Sequence, residues 1–228
     1  MPDTLAPESQ SPETERPKYA KVRTKPRATY DEAQIHPIID ASLVAHVGFI
    51  SDGKPMVIPM AFARRGNTLL IHGAKAARII KQNQEEAALC LTFTLLDGIV
   101  CARSGMHHSV NYRSVVAHGN ARLITHPKEH AQALVAITEH LLPGRYDEVR
   151  ADTAKEIAAT GILAVEIEWA AAKIRTGGPV DDPEDYDKPI WAGVLPVITA
   201  LGRPIADTKE NAARPVPPSL AAARKKFA

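Results

Sequence analysis

Leu-Leu-Ile-His-Gly-Ala-Lys-Ala-Ala-Arg-Ile-Ile-Lys, residues 69–81, changes character halfway along. Its first part is an apolar β-type run ending at His72-Gly73, and its second is Ala-rich with helical spacing. Lys75 and Arg78 stand three residues apart in that second part, which puts them on one helix face. A helix start with unpaired backbone N–H groups and two cations one turn apart is a seat for a phosphate. The same residues also read as an ordinary strand-to-helix connection with solvated basic side chains. This stretch alone leaves both readings open.

Working outward, short apolar runs alternate with turn signals. Runs at 44–50 and 55–62 flank Ser51-Asp52-Gly53-Lys54, a hairpin signal, and Arg65-Gly66-Asn67 turns the chain into 68–72. Runs at 88–95 and 99–103 flank Asp97-Gly98, which reads as a second two-residue hairpin turn. Residues 111–124 form one long strand, bulged or bent near Gly119. Residues 30–45 carry Ile35, Ile38, Ile39 and Leu43 at helical spacing behind Asp31. A second helix starts at Pro127 and carries Leu134, Ile137 and Leu141; a short one over 153–159 leads into strands at 162–169 and 172–175. Hairpin after hairpin with few long crossovers predicts a mainly β fold, an antiparallel barrel with peripheral helices. Residues 1–26 lack any apolar period and read as a disordered arm, and 201–228 as a flexible tail, leaving 27–200 as the folded domain. Neither end is then expected to add much stability.

Composition narrows the function classes. A net charge of +2 gives no field that would draw nucleic acid or a membrane surface. Four Phe, five Tyr and two Trp offer few stacking platforms for single strands. No apolar run reaches the length of a membrane span, and Met-Pro-Asp-Thr lacks the basic and apolar regions of a signal peptide, so the expected location is the cytoplasm. With a turn at Asp97-Gly98, Cys101 faces Thr94 and Cys90 faces Gly105, which predicts two reduced thiols.

Several runs in a fixed order carry a family likeness. They are Tyr30-Asp31, His46-Val47-Gly48-Phe49-Ile50, Asp52-Gly53-Lys54-Pro55, Val57-Ile58-Pro59, Leu70-Ile71-His72-Gly73, Leu95 with Asp97-Gly98, the run from His107 to Val116, and Trp191-Ala192-Gly193-Val194-Leu195-Pro196. This series resembles the pyridoxamine 5′-phosphate oxidase-like, FMN-binding split β-barrel proteins, in the flavin-nucleotide-binding and nitroimidazole-resistance-type branch. The resemblance implies a six-stranded split barrel that forms a homodimer, with FMN in each of two clefts between subunits. It places the flavin ring along residues 56–60, with the backbone of Val57, Ile58 and Pro59 at the ring edge. It places His72 beside the cofactor and Lys75 and Arg78 on its phosphate. Arg113 and Ser114 are further phosphate candidates, and Trp191 closes the cleft. Ala74 and Ala77 stand where many relatives carry hydroxyl residues. The basic and aromatic residues that hold pyridoxine phosphate in the true oxidases are not recognisable in residues 177–200, so pyridoxal phosphate synthesis is not implied.

The activity this resemblance implies is that of an FMN-dependent oxidoreductase passing electrons from a reduced nicotinamide nucleotide to a small acceptor. The competing reading is a non-catalytic carrier or sensor of flavin or haem, with His72, His107 or His118 as axial ligands. Other signals are weaker. His107-His108 point to opposite faces of any regular strand, and His126 with His130 lack a third ligand. Asp181-Asp182-Pro183-Glu184-Asp185 reads as a solvated loop, so no metal is expected. Ser104, Ser109 and Ser114 lack the strand–turn–helix setting of a hydrolase nucleophile.

Overall fold

Nine antiparallel strands carry the fold in a computed structural model that describes residues 16–82 and 87–228. In chain order they are β1 (Ala28–Thr29), β2 (Ala45–Ser51), β3 (Lys54–Met60), β4 (Phe62–Arg65), β5 (Thr68–Ala74), β6 (Ala87–Cys101), β7 (Ser109–Leu123), β8 (Thr160–Arg175) and β9 (Gly193–Pro196). The sheet path is β3-β2-β6-β7-β8-β5-β4, with β1 added to β8 and β9 to β6. Its two end strands, β3 and β4, are separated in sequence by Ala61 alone. The sheet must therefore curl until its ends meet, leaving a seam with no ladder between them among the described residues. That is a split barrel, built from nine strands instead of six.

Alternation along the strands sorts the side chains. Val47, Phe49, Leu69, Ile71, Leu91, Phe93, Val115, Leu163 and Val165 point inward into one buried cluster, where the Phe62 and Phe93 rings lie 4.9 Å apart. Helix α1 (Glu32–Asp40) adds Ile35, Ile38 and Ile39 to that cluster. Asp31 caps it, accepting from the Ala33 N–H at 3.0 Å. On the outer face, Ala63, Leu70, Ile162 and Ala164 pack under Ala133 and Ile137 of α3 (Pro127–Leu141). The short helices α2 (Arg78–Gln82) and α4 (Ala154–Ala159) precede β6 and β8, with Thr153 and Glu156 forming a reciprocal cap on α4. No helix among the described residues is long and apolar enough to cross a membrane.

One expected turn holds and three expectations change. The Asp52-Gly53 hairpin is present, with both residues at positive φ as a tight turn demands. Asp97-Gly98 is not a turn: β6 runs straight through it with a register shift between Leu96 and Gly98, and the reversal comes at 102–108. Residues 160–175 form one strand where two were expected, paired with β7, β5 and β1. The helix expected to begin at 75 begins at Arg78.

The ends also differ. Residues 1–15 of the expected arm lie outside the described residues, but Arg16 is buried. Its Nη1 donates to the Ala170 carbonyl at 2.9 Å and its guanidinium lies 4.2 Å from the Tyr30 ring centroid. In the expected tail, α5 (Lys209–Ala212) is exposed, but α6 (Pro218–Lys226) docks, burying Ser219, Ala223 and the adjoining Phe227. A single aromatic anchor and a few polar contacts hold these segments, which is why neither shows a periodic apolar face.

Candidate functional site

Register sets a row of side chains across the outer face of the sheet. Val57 on β3 pairs with Gly48 on β2, Gly48 with Cys90 on β6, Cys90 with His118 on β7, and His118 with Trp169 on β8. Directly paired residues share a face, so this row is one surface. Above it lies an apolar cleft of about 430 Å³, lined among others by Tyr19, Ile50, Met56, Val57, Cys90 and His118. Gly48 keeps the middle of the row flat.

The edge strand β3 gives this cleft a polar rim. Proline is tolerated on an edge only where its missing N–H would face away from the neighbouring strand. Pro55 and Pro59 have the same parity as Val57, so all three turn their backbone groups away from β2. Val57 supplies the one N–H of that set, between the outward carbonyls of Pro55 and Pro59. A flat heteroaromatic ring with a mixed donor and acceptor edge is complementary to such a strip.

His118 stands at the wall of the cleft with the Tyr19 ring edge-on at 4.9 Å. Burial pushes its pKa below the ordinary imidazole value, so it is neutral near pH 7 and keeps a lone pair to offer. Burial also pushes the Cys90 thiol up, opposed by a smaller contribution from Thr92, so Cys90 is a thiol and not a thiolate. Cys90 and Cys101 are both free, as expected.

The other sequence-derived positions fall in three places. Ile58 turns inward against the core while Val57 and Pro59 are exposed. His72 is half-buried on β5 opposite Ile162, on the face that packs under α3, and burial lowers its pKa. Its Nδ1 is buried with no hydrogen-bond partner among the described residues. Lys75 and Arg78 follow it, both exposed, and neither is ion-paired among the described residues. The Lys75 N–H is not a free helix-start donor, since it bonds to the Ala159 carbonyl at 2.8 Å.

Arg113 is engaged: its Nε and Nη2 donate to the two Asp97 oxygens at 3.0 and 2.8 Å, which raises its pKa. Ser114 Oγ donates to the Lys173 carbonyl. Trp191 is 72% exposed and its indole covers Gly193 at the start of β9. His107 lies with Nδ1 3.0 Å from Ser104 Oγ, and His108 Nδ1 accepts from the Ala102 N–H. Donor atoms of His107, Asp181 and Asp185 come within 4.8 Å of one another. Arg103 and Lys188 already neutralise the two carboxylates, so the group is an ion-pair cluster.

Tyr19, Met56, Cys90 and Trp169 are absent from the sequence-derived set. The signal for Cys90 is its pairing with His118, which the misplaced turn at Asp97-Gly98 hides.

Comparison with known proteins fits this geometry. The flavocytochrome Anf3 from Azotobacter vinelandii is 37% identical, with a TM-score of 0.84 over 90% of this chain and 96% of that one. The FAD and haem binding protein from Mycobacterium smegmatis is 34% identical, with a TM-score of 0.82 over 87% and 97%. A Bacteroides thetaiotaomicron protein named for 5-nitroimidazole antibiotic resistance, 21% identical with a TM-score of 0.55 over 64% and 86%, shares the fold. No curated protein matches. The profile of pyridoxamine 5′-phosphate oxidase matches residues 31–174, from the Asp31 cap to the end of β8. With that match and these relatives, the chain belongs to the pyridoxamine 5′-phosphate oxidase family.

Proposed function

We propose that this chain is a flavin-binding oxidoreductase that also holds haem and works as a homodimer. The observation that carries the reading is the flat row from Val57 to Trp169, with neutral His118 in the wall of an apolar cleft. Two relatives above 30% identity, one named a flavocytochrome and the other an FAD and haem binding protein, support it. Flavin and haem supply the electron chemistry when bound.

The protein's part is to bind and orient. The outward N–H of Val57 donates to the ring edge, and the carbonyls on either side accept. Lys75 and Arg78 hold the phosphate next to the ribityl chain, which FMN and FAD share. FMN is the nucleotide the family resemblance implies, and the FAD-binding relative makes FAD an equal candidate. Of the three histidines considered for iron, His118 lines the cleft, whereas His107 is held at Ser104 and near Asp182. His72 keeps a buried nitrogen with no partner among the described residues, on the α3 side, and is the second ligand candidate. The electron donor in this reading is a reduced nicotinamide nucleotide and the acceptor a small electron-poor molecule. No side chain in the cleft is needed as an obligatory acid or base. Turnover of NADH or NADPH by flavin-loaded protein separates this reading from a carrier or sensor that only binds.

Haem ligation has a direct test. Protein purified with haem and flavin available is expected to show a Soret band beside the flavin bands. His118→Ala is expected to lose the Soret band and keep bound flavin. A full Soret band in His118→Ala refutes the axial role, and its absence from wild type refutes the haem reading altogether.

Dimer formation rests on exposed apolar side chains: Ile50 is 63% exposed and Val57 65%. An obligate interface buries on the order of 2,000 Å² or more, enough to cover these together with Trp191. Light scattering is expected to give twice the monomer mass at micromolar concentration; monomer with flavin still bound refutes the dimer.

A further inference from the structure

Helix α6 is held at both ends by polar contacts. At its start, Ser219 N–H and Oγ donate to the two Glu148 carboxylate oxygens. At its end, Lys226 Nζ donates to the His140 carbonyl and lies 3.4 Å from His140 Nδ1. His140 sits on α3 at 7% exposure, its ring 4.3 Å from Phe62 and 6.0 Å from Phe227.

The two ring nitrogens of His140 have opposite duties. Nε2 is 2.8 Å from the Ser42 carbonyl, which can only accept, so Nε2 carries the hydrogen. Lys226 can only donate, so Nδ1 must offer its lone pair. One neutral tautomer satisfies both neighbours. A second proton, on Nδ1, removes the acceptor and sets two positive charges against each other in a buried place.

We propose that His140, Lys226 and Phe227 form a proton-operated latch, closed while His140 is neutral and released when it is protonated. Release frees the end of α6 from a cleft of about 530 Å³, lined in part by Ser42, His46, Thr94, Arg113, Lys226 and Phe227. The charges facing His140 come from three elements: Asp40 on α1, which favours the cation, and Arg64 on β4 and Lys226 on α6, which oppose it. Arg64 is paired with Asp40, which blunts both. Burial is the largest influence and pushes His140 below the ordinary imidazole value. A group whose pKa is lowered on docking stabilises the docked form above its free pKa and loses that contribution as pH falls. The latch therefore opens on the acid side of about pH 6.5.

Hydrogen–deuterium exchange on the full chain tests this, at about pH 7.5 and about pH 5.5, corrected for intrinsic rates. Peptides covering 218–227 are expected to lose about tenfold in protection at the lower pH, while those covering 162–167 keep theirs. His140→Gln can still donate to Ser42 and accept from Lys226 but does not titrate, so its step is expected to vanish. Lys226→Met keeps the apolar stem and removes the like charge, so its step is expected to shrink. No step in wild type overturns the proposal. A full-size step in either variant also overturns it and points to Glu148 instead. If His140→Gln does not fold, Lys226→Met decides alone.

Discussion

Gly119→Ala is expected to unfold this protein more readily than any other single-methyl change at a described glycine. A Cβ built there falls 1.9 Å from the Glu166 carbonyl oxygen and 2.9 Å from its carbon. Both atoms are backbone in the central β7–β8 ladder, so no rotamer change relieves the clash. Overpacking of flexible side chains costs about 1–3 kcal/mol, and a rigid backbone contact belongs at or above the top of that range. A loss of about 3 kcal/mol lowers the melting temperature by roughly 6–12 °C in a chain of this size. Gly202→Ala is the control: an added methyl there meets nothing within 4 Å, and the change should stay within about 0.5 kcal/mol. Thermal melts followed by circular dichroism make the comparison. A Gly119→Ala midpoint equal to wild type contradicts the geometry. The effect reaches the cleft too, because β8 skips Glu168 at this point and so sets Trp169 opposite His118.

Arg78→Ala is expected to weaken FMN binding by about 10- to 150-fold, the loss of a charge-assisted hydrogen bond of roughly 1.5–3 kcal/mol. Lys75→Ala should cost less, because an ammonium is a point charge without the planar guanidinium fork. Riboflavin has the same ring and no phosphate, so its affinity should hardly respond to either change. Fluorescence titration of wild type and Arg78→Ala with both ligands gives the contrast. Equal losses for FMN and riboflavin remove the phosphate assignment, since a general distortion weakens both together. The exposure of both cations matters here: they are available to a ligand, and solvent will screen their contribution toward the lower end.

The two Asp-Gly dipeptides show where sequence reading succeeds and where it stops. Asp52-Gly53 lies between short strands whose alternation matches on both sides, and local turn chemistry decides the outcome. Asp97-Gly98 carries the same local preference, yet there the ladder continues: Gly98 pairs with Asn111 on one side and with Pro196, almost a hundred residues on, on the other. A bulge and a turn ask for similar residues, and only a distant strand distinguishes them. That one misreading moves the partner of Cys90 from His118 to Gly105 and hides the centre of the cleft. The outward setting of Val57 and Pro59 on an edge strand is legible from the prolines around them. Docking of Arg16 and Phe227 is not, because each depends on a single side chain meeting a surface made elsewhere in the chain.

Strand β8 pairs with β5 in a register that joins residues roughly ninety positions apart, and with β7 through a much shorter excursion. At ribosomal speeds of about 5–20 residues per second, β4 and β5 emerge roughly 5–20 seconds before their partner. During that interval β5 has only the four-residue β4 as a ladder partner. The barrel cannot close until residues 160–175 arrive, so closure depends on a long-range pairing. The strand that organises the finished sheet is the one the growing chain must wait for, and until it arrives one edge of β5 has no partner.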